Sequence, residues 1–308
     1  MHTRYALPLL LAALVSGCDE PSHFASPADP GKATSTTPAG TPDFVFPLDL
    51  GNRWNYDGRV EYWVIADRDP IEHARVLSTH VHELTQTETL FGRSYVVEQR
   101  TIVEDFRPTE PIVNWVRYRQ DPSGLYEADV SLNDPPGGLV TPEIALSKAG
   151  HAGNEPTFEG VPASQRQAWW AAWERIQHRR QLLHGVANSQ DPLVSGLMEN
   201  EITRLRYPPT VGKVFYIRPN LLRVKIEAYE TLRLPAGDFE AARLRLTWLL
   251  PDTEADRIFM WIGPCGILKF EARLIGAAID ENGNVRGKLV AEEGQVLTGL
   301  QLLNGCQP

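Results

Sequence analysis

The sequence predicts a mainly β fold, with two related antiparallel β units that form curved sheets or a partial barrel and one amphipathic helical insertion. The first reason is a series of alternating apolar stretches separated by Gly, Pro and Asn turns. The second is an internal repeat of short segments, and the third is one stripe of apolar residues at helical spacing. The chain has 308 residues, 42% of them hydrophobic, which is enough to bury a large core.

The N-terminal residues have the features of an export signal. The apolar run from Tyr5 to Val15 is about half the ~20 residues that a membrane-spanning helix needs, so residues 1–17 are predicted to be a cleaved signal peptide. Residues 18–43 are rich in Pro, Ser and Thr and cannot bury enough apolar surface to fold. They are predicted to be a disordered tether.

The segment Val15-Ser16-Gly17-Cys18 resembles the bacterial lipobox. The resemblance implies that Cys18 is acylated, with palmitate as a typical chain, and that it anchors the protein in the cell envelope to a membrane facing the periplasm. The alternative is an ordinary signal peptide followed by a chance cysteine. Asp19 resembles an inner-membrane retention signal of enteric bacteria, so the choice between outer and inner membrane stays open.

The body divides into a first β unit at 44–130 and a second β unit with a C-terminal tail at 207–308. Three pairs of segments recur in the same order, and the second and third pairs share one spacing along the chain. The pairs are Phe46-Pro47 with Tyr207-Pro208, Glu88-Thr89-Leu90 with Glu230-Thr231-Leu232, and Pro122-Ser123-Gly124 with Pro264-Cys265-Gly266. This common order predicts an internal duplication.

Each unit is predicted to consist of hairpins. Strands are expected at 56–65, 79–88, 95–103 and 113–119 in the first unit, and at 221–232, 239–250, 257–262 and 267–279 in the second. The Asn282-Gly283 pair predicts a hairpin turn. The acidic residues around it lack the spacing of a calcium loop.

The stretch 131–206 is predicted to be a loop-and-helix insertion. Ser164 and Gln167 form a capping-box pattern, and Gly185 ends a helix of about 20 residues. Trp169, Trp173 and Ile176 share one stripe, which makes them candidates for contact with a ligand or a membrane surface. The alternative is that this stripe packs onto an open sheet, as the apolar faces of most helices do.

The cysteines and histidines suggest one disulfide and no metal site. If Cys18 is lipidated, Cys265 and Cys306 remain, and an oxidising compartment favours a disulfide between them over two buried thiols. His80 and His82 lie on one face of a strand, as metal ligands sometimes do, but no third ligand is adjacent in sequence. An exposed strand is therefore expected there, and no cofactor is predicted.

The sequence carries no nucleophile, phosphate-loop or metal-site motif, so we expect no enzyme activity. The net charge of −9 argues against a nucleic-acid partner. The leading hypothesis is a non-catalytic binding or structural envelope module, whose partner is a hydrophobic small molecule or an envelope protein. The alternatives are a carrier of lipid in a half-open barrel and a hydrolase without a recognisable motif.

Three further segments resemble a pattern in uncharacterised bacterial secreted lipoproteins. They are Phe46-Pro47-Leu48 with Gly51, Trp54 and Tyr56; Pro235-Ala236-Gly237-Asp238-Phe239; and Gly263 with Gly266-Ile267 and Lys269. The resemblance covers most of the body except the insertion and implies an all-β fold without an established activity. The helical insertion and Cys265 depart from the pattern.

Overall fold

The computed structural model describes residues 45–66, 71–128, 130, 136, 166–184, 201–218, 221–304 and 306. The signal peptide, Cys18, the tether, Ser164, Gly185 and most of the predicted insertion loop lie outside these residues. The described residues form twelve strands and one helix. These are β1 (Arg53–Ile65), β2 (Ile71–Leu90), β3 (Arg93–Glu104), β4 (Ile112–Asp121), β5 (Gly124–Ala128), α1 (Arg166–Leu183), β6 (Glu201–Arg206), β7 (Val214–Arg218), β8 (Leu222–Leu234), β9 (Gly237–Trp248), β10 (Arg257–Gly263), β11 (Gly266–Ile279) and β12 (Val285–Gln301).

All twelve strands belong to one antiparallel sheet that forms a nearly closed barrel. Each unit is an up-and-down series of six strands, and the two units join where β12 pairs with β1. The sheet ends at β6 and β7, so the seam of the barrel lies between two strands that are consecutive in the chain. The predicted fold class, mainly β with one helix, is confirmed.

The two units also repeat the same hydrogen bonds. The N–H of Gly51 donates to the carbonyl of Leu84 at 2.7 Å, and that of Gly212 donates to Ile226 at 2.8 Å. Both glycines have positive φ, 89° and 86°, a conformation that glycine adopts without strain. A β-bulge follows directly after Leu84 in β2 and after Ile226 in β8. The two units are therefore related in backbone geometry as well as in sequence.

Four strands, β5, β6, β7 and β12, were not among the predicted ones, and β6 and β12 change the organisation most. β6 lies within the stretch that the sequence assigned to the insertion, but it pairs with β5 and completes the first unit. β12, predicted as a tail, is a 17-residue strand at the centre of the sheet. Glu292 and Glu293 interrupt the alternation of apolar and polar residues in β12, so the sequence pattern does not indicate a strand. The strand accommodates both charges because Glu292 pairs with Arg273 and Glu293 pairs with Arg180.

Helix α1 packs against the sheet with its apolar stripe. Trp169, Trp173 and Ile176 are buried, and the Trp173 ring lies 4.5 Å from the ring of Tyr62. A side chain at Gly276 of β11 would come within 2.9 Å of a helix carbonyl, so this glycine permits the close approach. None of the described helices is long and apolar enough to cross a membrane.

A disulfide joins Cys265 and Cys306, whose Cα atoms are 5.5 Å apart. This is the pair that the cysteine count predicts. Cys265 lies at the tip of the hairpin between β10 and β11, and its carbonyl accepts a hydrogen bond from the buried Trp54 indole at 2.6 Å. The bond therefore fastens the end of the chain to a well-packed part of the barrel.

Candidate functional site

A cavity of about 80 Å³ lies at the centre of the barrel. Every one of the twelve strands contributes at least one lining side chain, and the last turn of α1 contributes Leu183 and His184. One wall is polar and consists of Tyr56, His82, Arg100, Tyr118, Arg204 and Gln295. The facing wall is apolar and consists mainly of Ile217, Val224, Leu244, Leu246, Met260, Ile262, Ile267 and Phe270.

The two walls follow the internal repeat. His82 in β2 corresponds to Val224 in β8, and Tyr118 in β4 corresponds to Met260 in β10, both at the spacing that the second and third repeated segments share. At the spacing of the first repeated pair, Tyr56 in β1 corresponds to Ile217 in β7. These three inner positions are thus polar in the first unit and apolar in the second, whereas Leu125 and Ile267 are apolar in both. This division makes the cavity two-sided.

The centre of the polar wall is a chain of contacts that begins at His82. His82 Nδ1 lies 3.2 Å from Glu98 Oε1, and Glu98 Oε2 accepts a hydrogen bond from Arg100 Nε at 2.6 Å. Arg100 Nη2 then donates to the hydroxyl of Tyr118 at 2.6 Å. His82 and Glu98 are both buried. Contacts with each other and with Arg100, and not contacts with water, therefore hold these two side chains in place.

Burial and charge set the protonation of this cluster. Burial lowers the pKa of His82, and the nearby Glu98 offsets this only in part, so the imidazole is neutral near pH 7. Burial alone would raise the pKa of Glu98, but Arg100 and His82 outweigh it and hold that pKa at about 2. Glu98 is therefore a carboxylate, and it can only accept a hydrogen bond from His82 Nδ1.

The other ring nitrogen of His82 is left without a partner. Among the described residues, no group forms a hydrogen bond with the buried Nε2. Because Nδ1 carries the hydrogen in this tautomer, Nε2 presents a lone pair. A buried polar atom that lacks a partner is costly, by about 1–3 kcal/mol. Such an atom at a cavity is the kind of group that a ligand can satisfy.

The remaining charges near the cavity are paired. Arg204 donates to both carboxylate oxygens of Glu127, at 2.6 and 2.8 Å. On the side of α1, Glu293 lies 2.9 Å from Arg180 and 2.7 Å from His184. In the polar wall and its partners, Glu98 balances the charge of Arg100, and Glu127 balances the charge of Arg204. The wall therefore has no net formal charge.

The buried His82 and the partly buried His80 predict a loss of stability in acid. Burial, and then the neighbouring His82, lower the pKa of His80 from 6.5 to about 3, and burial also lowers that of His82. In the unfolded chain both bind a proton near pH 6.5, so their contribution is present above that pH and is lost as pH falls toward 3. We expect the free energy of unfolding to drop by about 2–4 kcal/mol from about pH 7.5 to about pH 5.

Denaturant unfolding at both pH values measures this drop. The double variant His80→Gln/His82→Gln should lose most of it, whereas Thr79→Val, on the opposite face of the same strand, should keep it. An equal drop in the wild type and the double variant would mean that these histidines take up protons as readily in the folded protein as in the unfolded chain.

The structure places the sequence-predicted site residues outside the cavity. Trp169, Trp173 and Ile176 pack in the core, in agreement with the packing alternative, and while α1 is seated they are not available to a ligand or a membrane. Cys265 and Cys306 also lie apart from the cavity lining. The cavity receives other side chains of the helix, Leu183 and His184.

The prediction of an exposed strand at His80 and His82 was wrong, because His82 is buried at the centre of the barrel. Among the described residues, no group of three or more His, Cys, Asp or Glu side chains could hold a metal ion. The repeat could have located the site in the sequence. It aligns His82 with Val224, and a polar residue at a position that is apolar in the other unit marks a specialised wall.

Comparisons with known proteins give limited information. No protein family model matches the chain, and no curated protein matches its sequence. One solved structure, described as an exported protein with a YmcC-like fold from Bacteroides fragilis, is 12% identical, with a TM-score of 0.33 over 84% of this chain and 99% of that one. Another, described as a lipoprotein from Parabacteroides distasonis, is 14% identical, with a TM-score of 0.34 over 84% and 98%. With TM-scores this low, neither structure bears on the function of this chain.

Proposed function

We propose that the protein is an exported, lipid-anchored envelope protein whose barrel binds a small amphipathic molecule in its central cavity, without catalysing a reaction. The export signal and the lipobox-like segment ending at Cys18 support the location. The single observation that carries the binding role is that His82, whose buried Nε2 has no partner among the described residues, lines a cavity that is polar on one wall and apolar on the other.

The geometry fits a binding site better than a lipid carrier. Pockets for drug-sized ligands have volumes of roughly 300–1,000 Å³ and a few well-placed polar groups in an apolar lining. The cavity has a few polar groups in an apolar lining, but its volume of about 80 Å³ is well below that range. A long acyl chain would need the barrel or α1 to move, whereas a small amphipathic molecule would not. The carrier role therefore ranks second.

Native mass spectrometry of the mature lipidated chain, released from detergent micelles, tests the proposal. We expect a small adduct on the wild type that is lost on unfolding. His82→Val, which copies the residue of the equivalent strand, should weaken binding of the adduct by about fivefold or more, since one buried hydrogen bond contributes about 1 kcal/mol or more.

Thr79→Val is the matched control and should retain the adduct, because this side chain is exposed on the other face of β2. An adduct of acyl-chain mass would favour the carrier. Bare protein in all three samples would contradict the binding proposal, and equal occupancy in His82→Val would show that the ligand does not use the polar wall. Turnover of a co-purified molecule by the wild type would point instead to the hydrolase.

A further inference from the structure

We propose that the group held by the polar wall is neutral and both donates and accepts hydrogen bonds, as a primary amide or an alcohol does. The ligand would therefore be a short neutral amide or alcohol, and not a carboxylate or a phosphate. This inference rests on the proposed binding function and names the chemical class of the ligand.

The requirement for a donor comes from His82. Glu98, a carboxylate, fixes the hydrogen of the ring on Nδ1, so the unpartnered Nε2 can only accept. A ligand atom that satisfies Nε2 must therefore carry an N–H or O–H group. A carboxylate or a ketone has no such hydrogen and would leave Nε2 unsatisfied.

The requirement for an acceptor comes from Tyr118. Its hydroxyl oxygen accepts a hydrogen bond from Arg100 Nη2 at 2.6 Å, and no described residue accepts the hydrogen of this hydroxyl. Burial raises the pKa of Tyr118, so the hydroxyl keeps its hydrogen. Tyr118 lines the same cavity as His82 and offers a donor to the ligand.

The charge balance argues for a neutral ligand. Glu98 pairs with Arg100 and Glu127 pairs with Arg204, so both arginines that line the cavity are already neutralised by a buried carboxylate. An anion would enter a region of low dielectric constant without a free countercharge. Burial of an unpaired carboxylate costs far more than one hydrogen bond returns.

The apolar wall and the volume limit the carbon skeleton. Val224, Leu244 and Met260 face the polar wall and can take only apolar groups. A dry protein cavity of about 150 Å³ is known to hold benzene, and the cavity here, about 80 Å³, is smaller. By comparison with that case it suits a molecule of about three or four heavy atoms.

Three probes of nearly equal size separate these requirements. Acetamide is neutral and both donates and accepts, acetate is an anion near neutral pH, and acetone is neutral but only accepts. Met260 lines the cavity. Isotope labelling of the methionine methyl groups therefore gives an NMR signal inside the cavity, and its loss in Met260→Leu identifies it.

Titration of the labelled mature chain should shift the Met260 signal with each probe that binds. We expect acetamide to bind at least about tenfold more tightly than either other probe, which corresponds to about 1.4 kcal/mol. In His82→Val the preference for acetamide over acetone should disappear, and His82→Gln, which restores an acceptor, should recover part of it.

The other outcomes are separable. If acetate binds as tightly as acetamide, the ligand class is wrong but the binding function stands. If acetone binds equally well, His82 does not act as an acceptor, and the ligand class is again wrong while the binding function stands. If no probe shifts Met260, both the inference and the proposed binding site are contradicted.

Discussion

Replacing Arg180 with leucine should lower the free energy of unfolding by about 3–5 kcal/mol, which is the usual cost of breaking one side of a buried ion pair. Arg180 is buried in the core, where its Nε lies 2.9 Å from Glu293 and its Nη1 donates to the hydroxyl of Tyr62 at 2.6 Å. Burial alone would lower the pKa of Arg180, but Glu293 outweighs it and raises that pKa, so the guanidinium stays charged. The variant leaves Glu293 with His184, 2.7 Å away, as a remaining partner.

The double variant Arg180→Leu/Glu293→Leu separates charge from packing. Because it removes both buried charges, it should recover a large part of the loss, and the coupling in the double-mutant cycle should be at least about 1 kcal/mol. Arg233→Ala breaks a pair with Asp238 in which both side chains are mostly exposed, and it should change stability by no more than about 1 kcal/mol. Denaturant unfolding of the wild type, Arg180→Leu, Glu293→Leu, the double variant and Arg233→Ala measures all these values. Equal effects of Arg180→Leu and Arg233→Ala would show that the Arg180 pair is solvated.

Replacing Trp169 with alanine should also lower the free energy of unfolding by about 3–5 kcal/mol, the range for a buried tryptophan. Trp169 is 1% exposed and fills the space above Gly287, where an added side-chain carbon would lie 2.8 Å from the indole ring. Its loss would leave a void between α1 and the sheet that the neighbouring backbone cannot close.

Glu174→Ala is the control for this variant, because Glu174 is exposed in the middle of the same helix and alanine preserves helix propensity. It should change stability by no more than about 0.5 kcal/mol. If Trp169→Ala were equally mild in unfolding but reduced binding of the lipidated chain to vesicles, the helix would lie at the membrane surface. That result would restore the alternative that its buried position argues against.

The sequence by itself determined the features that depend on local patterns, namely strands, the helix and the repeated turns. Period-two alternation predicts strands such as β1, β9 and β11, and the tryptophan stripe predicts α1, since both patterns record which side chains face the core. The spacing of the repeated turns revealed the duplication, because Gly and Pro are required at tight turns whatever their surroundings. Pairing of Cys265 with Cys306 followed from the count of cysteines once Cys18 was set aside.

Tertiary structure alone decided which charged residues are buried and where the cavity lies. Alternation places His80 and His82 on one face of β2, but it cannot say that this face is the inside of a barrel. That follows from the pairing of β1 with β12, which joins residues such as Trp54 and Leu300 from opposite ends of the chain. The same holds for Arg180 and Glu293. Each looks like a solvent-exposed residue in its own segment, because a charge can be buried only when a partner distant in sequence is brought beside it.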